Sequence, residues 1–144
     1  MPTRDRFFPW ILLAGDVLVL LAFVLAGQAE HELTNADNPL LGIVLTTGEF
    51  TIAWIAASVW FDAFEQDHPP SLRAFMGRSL NAWLVAAPWG TLVRALVLGR
   101  ADIPVAFLIV VFLVGGAMLL GWRLVFMVVW VKTYREASIH GPTI

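Results

Sequence analysis

Four ionisable residues lie inside long apolar stretches of this chain, and they are its strongest candidates for chemistry. They are two acids in the first half and two arginines in the second half: Asp16, Glu49, Arg94 and Arg123. A charged side chain at the centre of a membrane-spanning helix costs about 2.5–3.5 kcal/mol on insertion scales, so each needs a partner, water or a route to the interface. Because the four charges sum to zero, the sequence predicts ion pairs between the two halves of the chain.

Depth predicts which of these residues form the first pair. If the apolar stretches are helices, Asp16 lies about 12 Å into the membrane from Phe8, and Arg123 about 11 Å in from Trp130. Phe8 and Trp130 belong to the same side of the membrane when the first and last spans run in opposite directions. We therefore expect Asp16 and Arg123 to lie at the same depth in the membrane and to form a buried pair that determines helix register.

Glu49 lies deepest in the membrane of the four residues, and its role has two possible interpretations. It lies about 15 Å from Pro39, near mid-membrane, whereas Arg94 lies about 6 Å from the outer end of its span. Helical side chains lean toward the N-terminus of their helix, which brings the two side chains closer. Glu49 then either pairs with Arg94 and stabilises the fold, or stays unpaired and changes its protonation state as a proton carrier. Arg94 can alternatively extend to the outer headgroups.

The elements that must position these residues are four apolar stretches of membrane-spanning length. Apolar residues make up 59% of the 144 residues and charged residues 14%, which is too apolar for a soluble domain of this size. A helix of about 20 apolar residues spans a hydrocarbon core of about 30 Å. We predict one all-α membrane domain whose four helices form an up-down-up-down bundle. Its predicted spans are residues 8–27, 39–61, 79–98 and 103–131.

Local signals refine two of the spans. Ser71 is a suitable N-cap for a helix that begins at Leu72 and continues into the third span. Pro88 cannot donate a backbone hydrogen bond to Leu84, so we expect a kink near Pro88. The first apolar stretch is longer than a signal-peptide core and contains Asp16, which favours a retained span over a cleaved leader.

Helical spacing predicts which faces point inward. Beside Glu49 lies a stripe of small and polar residues, formed by Gly42, Thr46, Ala53, Ala56 and Trp60. The opposite face is apolar and suits lipid; it carries Ile43, Val44, Ile55 and Val59. On the first span, a similar stripe beside Asp16 is formed by Gly15, Ala22 and Ala26. Small residues allow close helix approach in a membrane, so these stripes are expected to face neighbouring helices.

The distribution of positive charge predicts the orientation. The side that would hold both termini carries most of the basic residues: Arg4, Arg6, Arg73, Arg78, Lys132 and Arg135. The other side carries Arg100, with Arg94 just inside the membrane. The positive-inside rule therefore places both termini in the cytoplasm, and Trp10, Trp60 and Trp130 would mark the cytoplasmic ends of three spans.

The remaining motifs argue against most catalytic and cofactor chemistry. All three histidines, His31, His68 and His140, fall outside the predicted spans, so no span offers a histidine ligand for haem. The serines lack a histidine at membrane depth to activate them, and no basic aromatic face for nucleic acid is apparent. We expect no cofactor, no metal and no nucleic-acid partner. A lipid-modifying enzyme that uses His31 with Glu30 or Glu32 remains a minor alternative.

Three segments carry a family resemblance that covers about Asp16 to Arg123. They are GDVLVLLAFVLAGQAEHE, AWLVAAPWGTLVRALVLGR and IPVAFLIVVFLVGGAMLLGWR. Together they resemble the family known as domain of unknown function 3054 (DUF3054), although Gln28 stands where the family pattern commonly has Arg. The resemblance implies a small four-helix protein of the prokaryotic cytoplasmic (inner) membrane, and it implies no activity, substrate or cofactor.

These observations favour a non-enzymatic structural or accessory subunit in the lipid bilayer, partnered by itself or by a larger membrane complex. The alternative is a proton-coupled small-molecule transporter with Glu49 as the carrier. Four spans alone enclose little space, so the transporter hypothesis requires an oligomer.

Overall fold

The computed structural model describes residues 2–31, 38–65, 71–99 and 102–139, and helix dominates each of these stretches. The first three helices are α1 (Pro2–His31), α2 (Pro39–Trp60) and α3 (Leu72–Val97). The fourth helical stretch has three parts, α4 (Val105–Val110), a π-helical turn (Val111–Gly115) and α5 (Gly116–Ile139). The described residues are therefore all-α, which confirms the all-α part of the predicted fold class.

Side chains and turn geometry define the helix ends. Asn38 accepts a hydrogen bond at 3.2 Å from the backbone nitrogen of Leu41, just before Pro39 opens α2. Ser71 accepts one at 3.3 Å from the backbone nitrogen of Ala74, so the predicted N-cap of α3 is confirmed. After α3, Gly99 adopts a φ of 60°, the left-handed conformation that commonly terminates helices. Helix α3 continues through Pro88, and the kink expected there stays a prediction.

All four helical stretches are long and apolar enough to cross a membrane. The candidate spans are Phe7–Gly27, Pro39–Trp60, Leu72–Val97 and Val105–Thr133. Their outer surfaces carry many large apolar side chains, such as Ile52, which is 71% exposed. A surface of this kind would be unfavourable in water, and it is typical of helices that contact lipid.

The interior is built from aromatic and small side chains. Helices α2 and α3 share the most extensive contact, and α1 and α5 pack against this pair. The buried side chains of Trp54 on α2 and Trp83 on α3 lie 6.1 Å apart between ring centroids. The ring of Phe50 packs directly against the backbone at Gly90, where a Cβ atom would lie 2.6 Å from the ring. Small residues thus allow the aromatic side chains of neighbouring helices to reach the backbone.

The inward faces differ from the small-residue stripes predicted on α1 and α2. On α2 the buried face is centred on Phe50, Trp54 and Ala57, whereas Trp60 is 83% exposed. Ala56 is also exposed, and Ile43, which was expected to face lipid, packs against the core. On α1, two of the three stripe residues, Ala22 and Ala26, are exposed. The stripe prediction was therefore wrong in these positions, because bulky aromatic side chains fill the interior and rotate the small residues to its edge.

A π-helical turn interrupts the fourth stretch where it meets Trp83. The indole nitrogen of Trp83 donates to the backbone oxygen of Phe112 at 3.2 Å, within the turn. Cβ atoms at Gly115 and Gly116 would approach the same indole to 2.9 and 2.7 Å. The two glycines therefore provide the space that lets Trp83 reach a backbone carbonyl in the π turn.

Candidate functional site

The structure brings Asp16 and Arg123 together as an enclosed ion pair, as depth predicted. The Nη2 atom of Arg123 lies 2.6 Å from Oδ2 of Asp16, and its Nε atom lies 3.1 Å from Oδ1. Both side chains are 0% exposed. The carboxylate therefore binds the Nε–Nη2 edge of the guanidinium with two parallel hydrogen bonds, the geometry that makes arginine–carboxylate pairs strong.

The remaining donors of Arg123 reach two other parts of the chain. Its Nη1 atom donates to the backbone oxygen of Ala63 at 2.8 Å and to Oγ of Ser79 at 3.0 Å. The Ser79 hydroxyl donates in turn to the backbone oxygen of Phe75 at 2.9 Å. Arg123 thus links α5 to α1, to α3 and to the turn after α2. We refer to Asp16, Trp54, Ala63, Ser79 and Arg123 as the Arg123 network.

Aromatic side chains enclose the guanidinium. The Cζ atom of Arg123 lies 4.6 Å from the ring centroid of Trp54, 5.1 Å from that of Phe64 and 5.6 Å from that of Phe75. At these distances the negative face of a ring attracts a cation, and the attraction is larger where water is excluded. The Arg123 guanidinium is therefore shielded from the surface and has interaction partners on several sides.

A short turn after α2 presents the carbonyl group of Ala63 to this network. Asp62 adopts a φ of 53°, a left-handed conformation that Asp tolerates better than most residues. The chain then folds back, and the backbone nitrogen of Ala63 donates to the backbone oxygen of Ser58 at 2.8 Å. The turn positions an acceptor that sequence reasoning missed. The polar stretch beginning at Phe61 was a visible signal for a turn, but its carbonyl acceptor was not.

Glu49 and Arg94 form a second pair that is looser and nearer the surface. The Nη1 atom of Arg94 lies 3.5 Å from Oε2 of Glu49, and their side chains are 14% and 10% exposed. Arg94 also donates through Nη1 to the hydroxyl of Thr46, which donates to the backbone oxygen of Gly42 at 2.8 Å. Among the described residues, Oε2 of Glu49 is buried without a hydrogen-bond partner. The pair is therefore electrostatic and incompletely hydrogen-bonded.

The four predicted residues thus form two separate pairs. Sequence reasoning missed the other members of the Arg123 network, since nothing in their local patterns marks them as partners of a charge. The alternative of a lipid-modifying enzyme that uses His31 with Glu30 or Glu32 falls on side chains outside the described part of the chain. Within the part that is described, no group of three or more His, Asp or Glu side chains could hold a metal ion.

Comparison with known proteins places the chain in a family. It belongs to the family described as "Protein of unknown function (DUF3054)", whose model matches residues 13–126. That range contains both ion pairs and most of the four helical stretches. No curated protein and no solved structure matches the chain.

Proposed function

We propose that this DUF3054 protein is a non-enzymatic structural or accessory subunit of the prokaryotic cytoplasmic (inner) membrane. Its four helices form an up-down-up-down bundle in the lipid bilayer, with both termini in the cytoplasm. Two exposed basic residues, Arg73 at the start of α3 and Lys132 near the end of α5, lie on the side that this orientation assigns to the cytoplasm.

The observation that carries the proposal is the closed character of the Arg123 network. Asp16 and Arg123 are 0% exposed, and neither has a buried polar atom without a hydrogen-bond partner. A substrate or a catalytic water would need a free donor or acceptor on this ion pair, or access to it from outside, and among the described residues the pair itself offers neither. Its chemistry is that of a permanent crosslink between helices, as expected of a scaffold.

The test is a mass measurement on the full-length protein extracted from its native membrane in a mild detergent. We expect the protein to migrate with a larger membrane protein or complex, and to lose that association when competing untagged protein is supplied in excess. A particle that contains one copy of this chain and no other protein would contradict the subunit proposal.

A second candidate is a proton-coupled small-molecule transporter that acts as an oligomer with Glu49 as the carrier. It is favoured by Oε2 of Glu49, which is buried without a hydrogen-bond donor among the described residues, at 3.5 Å from Arg94. A carboxylate held this loosely can take up and release a proton at a smaller structural cost than Asp16 can. An oligomer of this chain alone, together with a pH-driven solute flux that Glu49→Gln abolishes, would favour this candidate over the subunit.

A further inference from the structure

Arg94 and Arg123 differ in which guanidinium nitrogen atoms make their contacts. In Arg123 the Nε and Nη2 atoms, which form the side-on edge, both donate to Asp16, at 3.1 and 2.6 Å. In Arg94 the contacts to Thr46 and Glu49 are both made by Nη1. Among the described residues, no hydrogen bond or ion pair of Arg94 is made through Nε or Nη2. The side-on edge of Arg123 therefore binds a carboxylate, whereas neither contact of Arg94 in the described residues uses that edge.

The Nε–Nη2 edge of an arginine has the geometry of an oxyanion site. Two parallel N–H groups match two oxygens of a carboxylate or phosphate, which is why arginine dominates the recognition of such groups. The Arg94 side chain is 14% exposed, and its Nε and Nη2 atoms are not among the buried polar atoms that lack a partner in the described residues. We propose that the Nε–Nη2 edge of Arg94 binds a singly charged oxyanion, and that the anion binds together with one proton taken up by Glu49.

The proton follows from charge balance. With Glu49 ionised, the pair carries no net charge, and an added anion would leave a net negative charge in a region of low dielectric constant. When the Glu49 carboxylate takes up a proton and becomes a neutral carboxylic acid, Arg94 and the anion balance each other. The site is then neutral both before and after binding. Nη1 of Arg94 can keep its bond to Thr46 in both states.

No other described charge on the neighbouring helices replaces Glu49 in this balance. Helices α1 and α3 pack against α2, which carries Glu49. On α1 the carboxylate of Asp16 is bound by Arg123. On α3, Arg73 and Arg78 lie in the first two turns, at the opposite end of the helix from Arg94, and Arg78 donates to the backbone oxygen of Glu65 at 3.3 Å. Glu49 is the acid that faces Arg94.

The inference goes beyond the proposed function and concerns equilibrium binding, so it applies to a subunit and to a transporter alike. The oxyanion can be a dissolved carboxylate or phosphate, or the phosphate of an anionic lipid headgroup. Both sources present the same chemistry to Arg94, and an experiment in lipid-free detergent can separate them.

The experiment uses the full-length protein in an uncharged maltoside detergent that contains no phosphate. Acetate, inorganic phosphate and phosphatidylglycerol are titrated separately by calorimetry, in two buffers with different ionisation enthalpies. The difference in heat between the buffers gives the number of protons taken up per anion. We expect one proton per anion and an affinity that rises about tenfold for each pH unit of acidification while Glu49 is ionised. If phosphatidylglycerol binds with the same proton uptake, the site accepts lipid phosphate; if only acetate or inorganic phosphate binds, the site accepts dissolved anions only.

Three variants make the test specific. Arg94→Lys keeps the charge and removes the edge, and should weaken binding by about tenfold or more. Glu49→Gln imitates the protonated acid, and should bind the anion without proton uptake and without pH dependence. Arg73→Lys makes the same chemical change at an exposed arginine and should have no effect.

The proposal is overturned if wild-type protein binds none of the three probes, binds without proton uptake, or binds as tightly after Arg94→Lys. The proton count on the wild type with acetate or phosphatidylglycerol decides the matter even if a variant fails to fold, because both stay singly charged near neutral pH, whereas inorganic phosphate can itself take up a proton.

Discussion

The indole nitrogen of Trp54 donates a hydrogen bond of 3.0 Å to Oδ2 of Asp16, the carboxylate oxygen that also binds Nη2 of Arg123. The same indole lies 4.6 Å below the Arg123 guanidinium. Trp54 therefore stabilises the anion through its edge and the cation through its face. Trp54 lies on α2, which contributes no charged residue to the Arg123 network. Its two contacts therefore connect α2 to the ion pair between α1 and α5.

This relationship leads to a prediction for Trp54→Phe. The ring face is retained and the hydrogen bond to a charged acceptor is lost, which should lower the free energy of unfolding by about 1.5–3 kcal/mol. Denaturant titration in detergent micelles would measure the loss. Trp60→Phe is the matched control, because Trp60 is 83% exposed and should tolerate the change. Equal stability of Trp54→Phe and wild type would contradict the role assigned to the indole.

Asp16 and Arg123 should behave as one unit in a double-mutant cycle. Removing one partner of a buried pair typically costs about 3–5 kcal/mol, since the other charge is left uncompensated. We expect Asp16→Asn and Arg123→Gln each to show a loss of this size in thermal or denaturant unfolding. The double variant should recover part of it, but not all, because Ala63 and Ser79 would still lack their donor. Additive losses would show that the two side chains do not stabilise each other.

Loss of the Glu49–Arg94 pair should lower the free energy of unfolding less than loss of the Asp16–Arg123 pair. Glu49→Gln removes an ion pair that has a 3.5 Å separation and keeps the Arg94 bond to Thr46. Because Arg94 would be left with an uncompensated charge but would keep one hydrogen bond, we expect the free energy of unfolding to fall by about 1–3 kcal/mol, less than the loss for Asp16→Asn under the same conditions. Adding Arg94→Gln to Glu49→Gln should partly restore it. A Glu49→Gln protein as unstable as Asp16→Asn would show that the two pairs are energetically equivalent.

The contact between Trp83 and the π-helical turn predicts a contrast between two glycines. A Cβ atom at Gly116 would lie 2.7 Å from Nε1 of Trp83, whereas at Gly121 it would meet no atom within 4 Å. Gly116→Ala should therefore destabilise the protein by about 1–3 kcal/mol through overpacking. Gly121→Ala, in the same helix, should be neutral or slightly stabilising. The comparison requires thermal unfolding curves of the two variants side by side. Indistinguishable midpoints would argue against a close contact at Gly116.

The proposed orientation can be tested with introduced cysteines, since the chain contains none of its own. We expect Ser71→Cys and Ser138→Cys to be shielded from a membrane-impermeant thiol reagent in intact cells. Asn35→Cys should be labelled, because its loop would face outward under the positive-inside rule. Labelling of Ser138→Cys with no labelling of Asn35→Cys would reverse the orientation.

The sequence by itself determined the four membrane-length helices, the Ser71 cap and the shared level of Asp16 and Arg123. Each of these follows from the length of an apolar stretch, from local hydrogen bonding or from the helical rise per residue. These properties of a helix do not depend on neighbouring helices. Because an unpaired charge in an apolar span is costly, the charge balance was also informative before any contact was known.

Tertiary structure decided which atoms satisfy those charges and where each helix face points. Trp54, Ser79 and the carbonyl group of Ala63 join Arg123 only because three separate segments converge on it. Spacing put Glu49 at the centre of an inward stripe, but the bulk of Phe50 and Trp54 rotates α2 so that Glu49 lies at the edge of the buried face. The hydrogen bond from Trp83 to the π turn likewise requires the space left by two glycines on another helix. Rotation about a helix axis and contact across helices are properties of the packed molecule, and a one-dimensional pattern does not contain them.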